Sequence, residues 1–332
     1  MKKKIAIILS ICLLALQSFC QDLHFSQFYD MPLLRNPGLS GVFTGQFQAS
    51  TIYRNQWNDV TVPYQTMALG AEYKVYGVDL ESPATVSLGL QVLRDQAGAS
   101  NFTRTTYAPN IAVRTRILQN LYLSTGFLAG PVTSSFNPNG LTWGDQYHNG
   151  TIEPTMQPLP LTGKNYFDFG AGTVLGQSDP DFTQWYLGFA VYHIFQPTVG
   201  FGSNDFLPRR YTVSGGLGLK MAEDERLFFY GDAVRQSNQY EYYFGGLYTF
   251  YFVDGDDPNE EGLSFGAFYR WNDALVPTVR LAYDNWIIGF SYDFNISQLA
   301  PGSQVWGGPE LMVKFRGMPS SDKNIPCPRG RL

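Results

Sequence analysis

Apolar and polar residues alternate with a period of two along most of this chain. In residues 43–53, Phe43, Gly45, Phe47, Ala49, Thr51 and Tyr53 share one face, and Thr44, Gln46, Gln48 and Ser50 share the other. In 210–220, Tyr211, Val213, Gly215, Leu217 and Leu219 oppose Arg210, Thr212, Ser214, Gly216, Gly218 and Lys220. The same holds for Trp286, Ile288, Phe290 and Tyr292 against Ile287, Gly289, Ser291 and Asp293, and for Leu311, Val313 and Phe315 against Glu310, Met312, Lys314 and Arg316. Sustained alternation is the signature of a strand with one apolar face. About fourteen such segments occur, near 43–53, 64–74, 84–93, 105–116, 120–130, 165–177, 183–192, 209–220, 226–235, 240–251, 262–271, 274–282, 285–293 and 308–316. No helical period competes over a comparable length, and no second domain or fixed-length repeat stands out.

Two architectures accept alternating strands. A soluble sandwich buries its apolar face; a membrane barrel turns it to lipid and keeps polar, Gly-rich residues inside. Only 15% of residues are charged, with 34 Gly and 20 Pro, whereas soluble proteins average roughly 25% charged. That composition excludes a coiled coil, a basic nucleic-acid binder and a charge-rich disordered chain. Strand lengths cluster near those needed to cross a bilayer when tilted. Trp185, Tyr186, Tyr269, Trp271, Tyr283 and Trp286 sit at strand ends, as interfacial girdles require. Glu72, Arg114, Arg116, Asp168, Arg270, Arg280 and Asp293 fall on the non-apolar face. If the N-terminus starts in the periplasm, the periplasmic connections (75–83, 117–119, 178–182, 221–225, 252–261, 283–284) are short. The outer ones include the longer 131–164, 193–208 and 294–307. The expectation is therefore an all-β, transmembrane, antiparallel up-and-down β-barrel of about 14 strands, with short periplasmic turns, long outer loops and outer-membrane lipid around it. Lipid offers no hydrogen-bond partner, so only a closed sheet satisfies every strand. Pro109 and Pro277 fall inside two of these segments and each removes a donor.

Lys2, Lys3 and Lys4 precede the apolar stretch Ile5–Leu16, followed by Gln17-Ser18-Phe19-Cys20-Gln21. This is a secretory signal pattern with cleavage before Gln21; Phe19 argues against the rival reading, a lipoprotein signal acylated at Cys20. Cleavage leaves Cys327 alone, so no internal disulfide is available. It also takes three Lys from a chain with 23 Lys and Arg and 28 Asp and Glu, giving (23 − 3) − 28 = −8. Such a protein is not built to grip nucleic acid. The chain then divides into a signal peptide (1–20), an N-terminal arm (21–42), a barrel (43–316) and a periplasmic tail (317–332). The arm has no strand pattern; it either plugs the lumen or docks in the periplasm.

A set of ordered motifs runs through the mature chain: Gln21-Asp22-Leu23-His24-Phe25-Ser26-Gln27-Phe28-Tyr29, Asn36-Pro37-Gly38-Leu39-Ser40-Gly41, Arg54-Asn55-Gln56-Trp57, Asp95-Gln96-Ala97-Gly98, Tyr192-His193-Ile194-Phe195-Gln196-Pro197, Gly289-Phe290-Ser291-Tyr292-Asp293, Gly307-Gly308-Pro309-Glu310 and Cys327-Pro328-Arg329. In order and spacing they resemble the PorP/SprF family, outer-membrane proteins of the Bacteroidetes type IX secretion and gliding machinery. The resemblance implies a membrane barrel and a role rather than a reaction. Members help export or anchor large surface proteins, typically adhesins, that carry a type IX C-terminal signal domain; some are linked to a periplasmic ring and to peptidoglycan-binding lipoproteins. No cofactor is implied. Family-motif or partner-contact candidates are Asn36, Pro37, Arg54, Gln56, Trp57, Asp95, Gly98, His193, Pro197, Asp293, Glu310 and Cys327. The chain departs from the family at its end, where Gly330-Arg331-Leu332 stands in place of an aromatic residue.

Each motif also has a plainer reading. Arg54 could pair with a lumen carboxylate while Trp57 anchors in a girdle, and Asp95–Gly98 reads as turn chemistry with positive φ at Gly98. The acidic run Asp254–Glu261 lacks the Gly position and spaced terminal Glu of an EF-hand loop and reads as a solvated turn. His24, His148 and His193 share no zinc-ligand spacing. No nucleophile elbow, P-loop or dinucleotide fingerprint occurs. Glycines such as Gly170, Gly172, Gly176, Gly245 and Gly246 either leave room for a guest chain or let lumen side chains pack closely. The rivals to a secretion component are a passive porin or small-hydrophobe channel and a lipid-modifying barrel enzyme.

Overall fold

A pleated strand buries one face and shows the other, so fourteen of them in sequence have one stable arrangement in lipid, a closed cylinder. The computed structural model has that form. It describes residues 22–56, 62–77, 83–118, 120–138, 141, 144–148, 151–152, 162–178, 183–201, 204–252, 261–297 and 306–317. The strands are β1 (Phe47–Gln56), β2 (Tyr64–Tyr76), β3 (Ala84–Ala97), β4 (Phe102–Arg116), β5 (Leu121–Ser135), a small loop hairpin β6 (Tyr147–His148) and β7 (Thr151–Ile152), then β8 (Gly163–Ser178), β9 (Thr183–Tyr192), β10 (Arg210–Lys220), β11 (Glu225–Gln236), β12 (Gln239–Tyr251), β13 (Gly262–Arg270), β14 (Ala274–Tyr283), β15 (Trp286–Asn295) and β16 (Trp306–Gly317). All but β6 and β7 form one antiparallel barrel of sequential neighbours, closed by β1 against β16 in the register Arg54↔Glu310 to Phe47↔Gly317.

Every predicted segment is a strand, but β3 runs on to Ala97 and β5 to Ser135, into stretches expected as outer loop, and two further points differ. β1 begins at Phe47 rather than 43; residues 43–45 lead in from the arm, and Gln46 already bonds to Gly317 and Lys74 of the flanking strands. The two prolines stay within β4 and β14, each paired on one side, Pro109 with Leu90 and Pro277 with Ala267. On the other side the pairing lapses, between Thr106 and Asn110 toward β5 and between Leu275 and Thr278 toward β15. A ladder tolerates the missing donor where it can open locally.

The two barrel ends differ. One carries the connections 77–83, 117–120, 179–182, 221–224, 252–261 and 284–285; the other carries 136–162, 193–209 and 296–305. The asymmetry is not uniform, since the long-loop end also has the tight turns 237–238 and 271–273. These turns place Ser237 and Asn272 at φ 54° and 56°.

The outward face is apolar, with Leu187, Phe127, Phe265 and Val279 exposed where lipid would cover them. Tyr283, Trp271 and Trp286 are exposed at strand ends. Tyr186 is a correction: it points inward and is buried. The lumen is also less polar than the alternation implies. Ile52, Ala68, Leu93, Ile287 and Met312 line it and pack with Phe25 and Met31 of the arm. On the adjoining wall, β12–β14, Tyr243, Leu247, Phe268 and Val276 pack with Phe28 and Tyr29. The barrel therefore has a hydrophobic core, to which the N-terminal arm contributes Phe25, Met31, Phe28 and Tyr29. Burying each large arm side chain contributes about 1.5–3 kcal/mol.

Candidate functional site

The arm, residues 22–46, runs the height of the lumen from the long-loop end to the short-turn end, where it enters β1. Its local shape follows from its sequence. Pro32 opens a single helical turn, Pro32–Arg35, as a first-turn proline should. Asn36 then caps the next turn, Pro37–Leu39: its side chain accepts a hydrogen bond from Gly38 N at 2.8 Å. The chain is thus folded into short turns, too irregular to join the sheet. Its backbone groups need partners, and the wall provides them.

At the long-loop end Asp22 meets three cations. Its carboxylate lies 2.6 Å from His193 Nε2, 3.4 Å from Arg210 and 3.6 Å from Arg104. The other ring nitrogen of His193 is 2.8 Å from Asp168. One step deeper, Glu310 accepts from the backbone N–H groups of Ser26 and Gln27 at 2.8 and 2.6 Å. Arg54 donates to Asp293 at 2.5 Å and to the His24 carbonyl at 2.7 Å. Arg270 also reaches Asp293, at 3.0 Å, and Ser26 Oγ donates to the same carboxylate.

Further along, Asp30 takes Lys314 at 2.6 Å, with Arg280 at 3.6 Å. Arg35 forks onto Asp232, at 2.5 and 2.8 Å, and touches the Tyr186 hydroxyl at 2.5 Å, which explains the inward turn of Tyr186. Asn36 donates to Thr173 O at 3.0 Å and Asn110 donates to Pro37 O at 3.2 Å. Near the short-turn end Gly41 N donates to Glu72 at 2.9 Å and Lys74 to Phe43 O at 2.5 Å. Buried charges are tolerable only when paired in this way.

The wall is shaped to admit the arm as well as charged to hold it. A Cβ on Gly126 would stand 2.2 Å from Pro37 O, and one on Gly172 would stand 2.1 Å from Asn36 Oδ1. Gly172 thus leaves room for a guest chain, the protein's own arm, as Gly126 does; Gly170, Gly176, Gly245 and Gly246 instead let wall residues such as Tyr192, Tyr186, Phe268 and Phe229 pack closely.

Burial alone would raise the Asp22 pKa; His193, Arg210 and Arg104 reverse this and hold the carboxyl well below the usual range. Burial alone would depress His193, but Asp22 and Asp168 on either side raise its pKa to about 9.

Six sequence candidates converge on the arm. Asn36 and Pro37 are part of it; Arg54, His193, Asp293 and Glu310 hold it. For Arg54 this is the plainer of its two readings, a lumen ion pair. Gly98 has φ 68° in the β3–β4 turn, as turn chemistry requires. Asp95 accepts from Thr66 Oγ1 at 2.7 Å on that rim, and Pro197 O accepts from Leu207 N at 2.9 Å within loop 193–209. Gln56 is half-buried at the end of β1, two residues beyond Arg54. Trp57, Cys327 and most of the acidic run 254–261 lie outside the described residues. Sequence reasoning did not single out Asp30, Arg35, Asp232 or Lys314 as a set. The available signal was charge on the lumen face of β11 and β16, which in a closed barrel demands a counter-ion.

A family model for the type IX secretion system membrane protein PorP/SprF matches residues 17–315. No curated protein matches the chain. Among solved structures, the Ralstonia pickettii toluene transporter TbuX is similar at 10% identity and TM-score 0.49, covering 86% of this chain and 92% of that one. The CymD monoaromatic hydrocarbon channel is similar at 10% identity and TM-score 0.49, covering 87% and 93%. A Pseudomonas aeruginosa FadL homologue gives 8% and 0.47, covering 84% and 92%. At such identities the likeness says nothing of what this barrel carries.

Proposed function

Because the chain belongs to the PorP/SprF family of type IX secretion system membrane proteins, we propose that it is a non-enzymatic outer-membrane component of that machinery, aiding export or surface anchoring of a partner surface protein. The match over residues 17–315 carries this reading. The family is one of secretion-system membrane components rather than enzymes. On this reading residues 1–20 direct Sec-type export and are cleaved before Gln21. The short-turn end faces the periplasm, where it and the tail 317–332 meet a periplasmic ring or a peptidoglycan-binding lipoprotein. The long loops face outward toward an adhesin-like substrate with a type IX C-terminal signal domain, in a gliding or secreting member of the Bacteroidetes. Among the described residues, Gln56, Asp95 and Pro197 are not among those that hold the arm; with Trp57 and Cys327 they are the candidates for partner contact.

The filled lumen favours docking over a passive porin or hydrophobe channel, since a solute would have to displace a segment held by ion pairs along its length. The test is an in-frame deletion followed by surface proteomics. The expected result is loss of one class of type IX substrate from the cell surface, restored by the gene in trans. Unchanged display of every such substrate overturns the proposal. Pull-down from detergent-solubilised outer membrane then identifies the partner.

A further inference from the structure

The mouth at the long-loop end holds a cluster whose composition exceeds what the arm needs. Three wall cations converge there from separate places in the fold: Arg104 from β4, His193 from the end of β9 and Arg210 from the start of β10. Asp22 is the arm carboxylate that meets them, and it leaves Arg210 short of a close contact. Charge-assisted hydrogen bonds are commonly about 2.7–2.9 Å. His193 comes within that distance at 2.6 Å, but Arg210 stands off at 3.4 Å; Arg104 lies at the edge, 3.6 Å away.

Arg210 is nine-tenths buried, stacked over the Tyr192 ring at 4.2 Å and tied to Leu34 O at 3.0 Å. Its Nε is buried and has no hydrogen-bond partner among the described residues. A guanidinium presents its donors as a fork that matches a carboxylate, and here part of the fork is unused. Beside it lies a cavity of about 50 Å³ lined by Arg210, Gln236, His24 and the acids Asp22, Asp232 and Glu241 among others, with His193 and Arg104 behind Asp22 rather than on its wall. That is room for a few water molecules, or for one carboxylate group.

We propose that His193, Arg210 and Arg104 form a carboxylate-receptor site at this mouth, which Asp22 occupies in cis and which a carboxylate of an incoming polypeptide takes over. The outer end of the arm can exchange alone, because Ser26, Gln27 and Asp30 remain pinned by their own partners deeper in the lumen. The neighbouring acids do not block entry: Asp168 is committed to His193, Asp232 to Arg35, and Glu241 to the Tyr243 hydroxyl. The site is a property of the folded barrel and does not depend on the secretion role.

The full-length protein in detergent is titrated, by fluorescence anisotropy, into fluorescein-labelled hexapeptides. The probes are hexaglutamate with an amidated C-terminus (side-chain carboxylates), hexaglutamine with a free C-terminus (main-chain carboxylate) and amidated hexaglutamine (neither). At least one acidic probe should bind and the neutral one should not. Asp22→Asn, which removes the competitor in cis, should tighten that binding at least tenfold. Arg210→Gln and Arg104→Gln should each weaken it at least tenfold. Retention of the heat-modifiable folded band on gels shows that the variants still close; if Arg210→Gln does not, Arg104→Gln at the more exposed edge decides. Binding by the neutral probe, no tightening in Asp22→Asn, or affinity unmoved by the arginine substitutions overturns the proposal.

Discussion

Arg54 on β1 and Asp293 on β15 bond at 2.5 Å with side chains only 2% and 1% exposed. They reach each other across β16, whose Glu310 is the cross-strand partner of Arg54. The pair therefore clasps the seam where the barrel closes, and the arm lies against it through the His24 carbonyl and Ser26. Closure and seating of the arm are one packing event at this point.

Asp293→Asn should leave Arg54 and Arg270 without their shared counter-charge. Removing one partner of a buried pair costs about 3–5 kcal/mol. The expected result is a lower urea midpoint for unfolding in detergent. A change below about 1 kcal/mol would mean that the seam does not rely on this carboxylate.

Gly126→Ala should unseat the middle of the arm, because the new Cβ would lie 2.2 Å from Pro37 O, a backbone atom that cannot swing aside. Amide exchange around Asn36–Leu39 should accelerate while the strands away from this contact keep their protection. Conductance across a planar bilayer should rise above that of the parent protein. Unchanged exchange in the arm would contradict the packing described.

The hold of His193 on Asp22 should depend on pH. The imidazole pKa is raised to about 9 by Asp22 and Asp168 together when the arm is seated. When the arm leaves, Asp168 stays on the ring, so the pKa falls only by the share that Asp22 supplies. A raised pKa means that the charged form favours the seated state. That stabilisation is present at low pH and is lost as pH rises through about 9. Exchange at Leu23–Phe25 should quicken as pH rises toward and past about 9 in the parent, and His193→Gln should flatten the profile.

Leu187→Arg tests which face meets lipid. Leu187 is 58% exposed at the middle of β9, and arginine near the bilayer midplane costs about 2–4 kcal/mol in a barrel. Refolding yield into vesicles should drop for Leu187→Arg and should be far less affected for Tyr283→Arg at a strand end.

The period-two pattern was sufficient to place the strands, to assign most side chains to lipid or lumen and to predict closure. Those properties are local: a strand's pleat alternates its faces, and each face must suit its medium. The aromatic girdle was legible except at Tyr186, where the counterpart is Arg35, 151 residues earlier. The motif residues were visible as a set, yet nothing in their spacing said that Asn36, Arg54, His193, Asp293 and Glu310 would gather around one segment.

By itself, then, the sequence determined the number of strands, their facing and the presence of an arm that could not join them. Only the tertiary structure decided where that arm goes and which charge meets which. Arg54 and Asp293 are 239 residues apart, and they become neighbours only once fourteen registers have been set and the cylinder has closed. Inside a space shielded from water, each buried charge must then take the partner that this geometry brings to it.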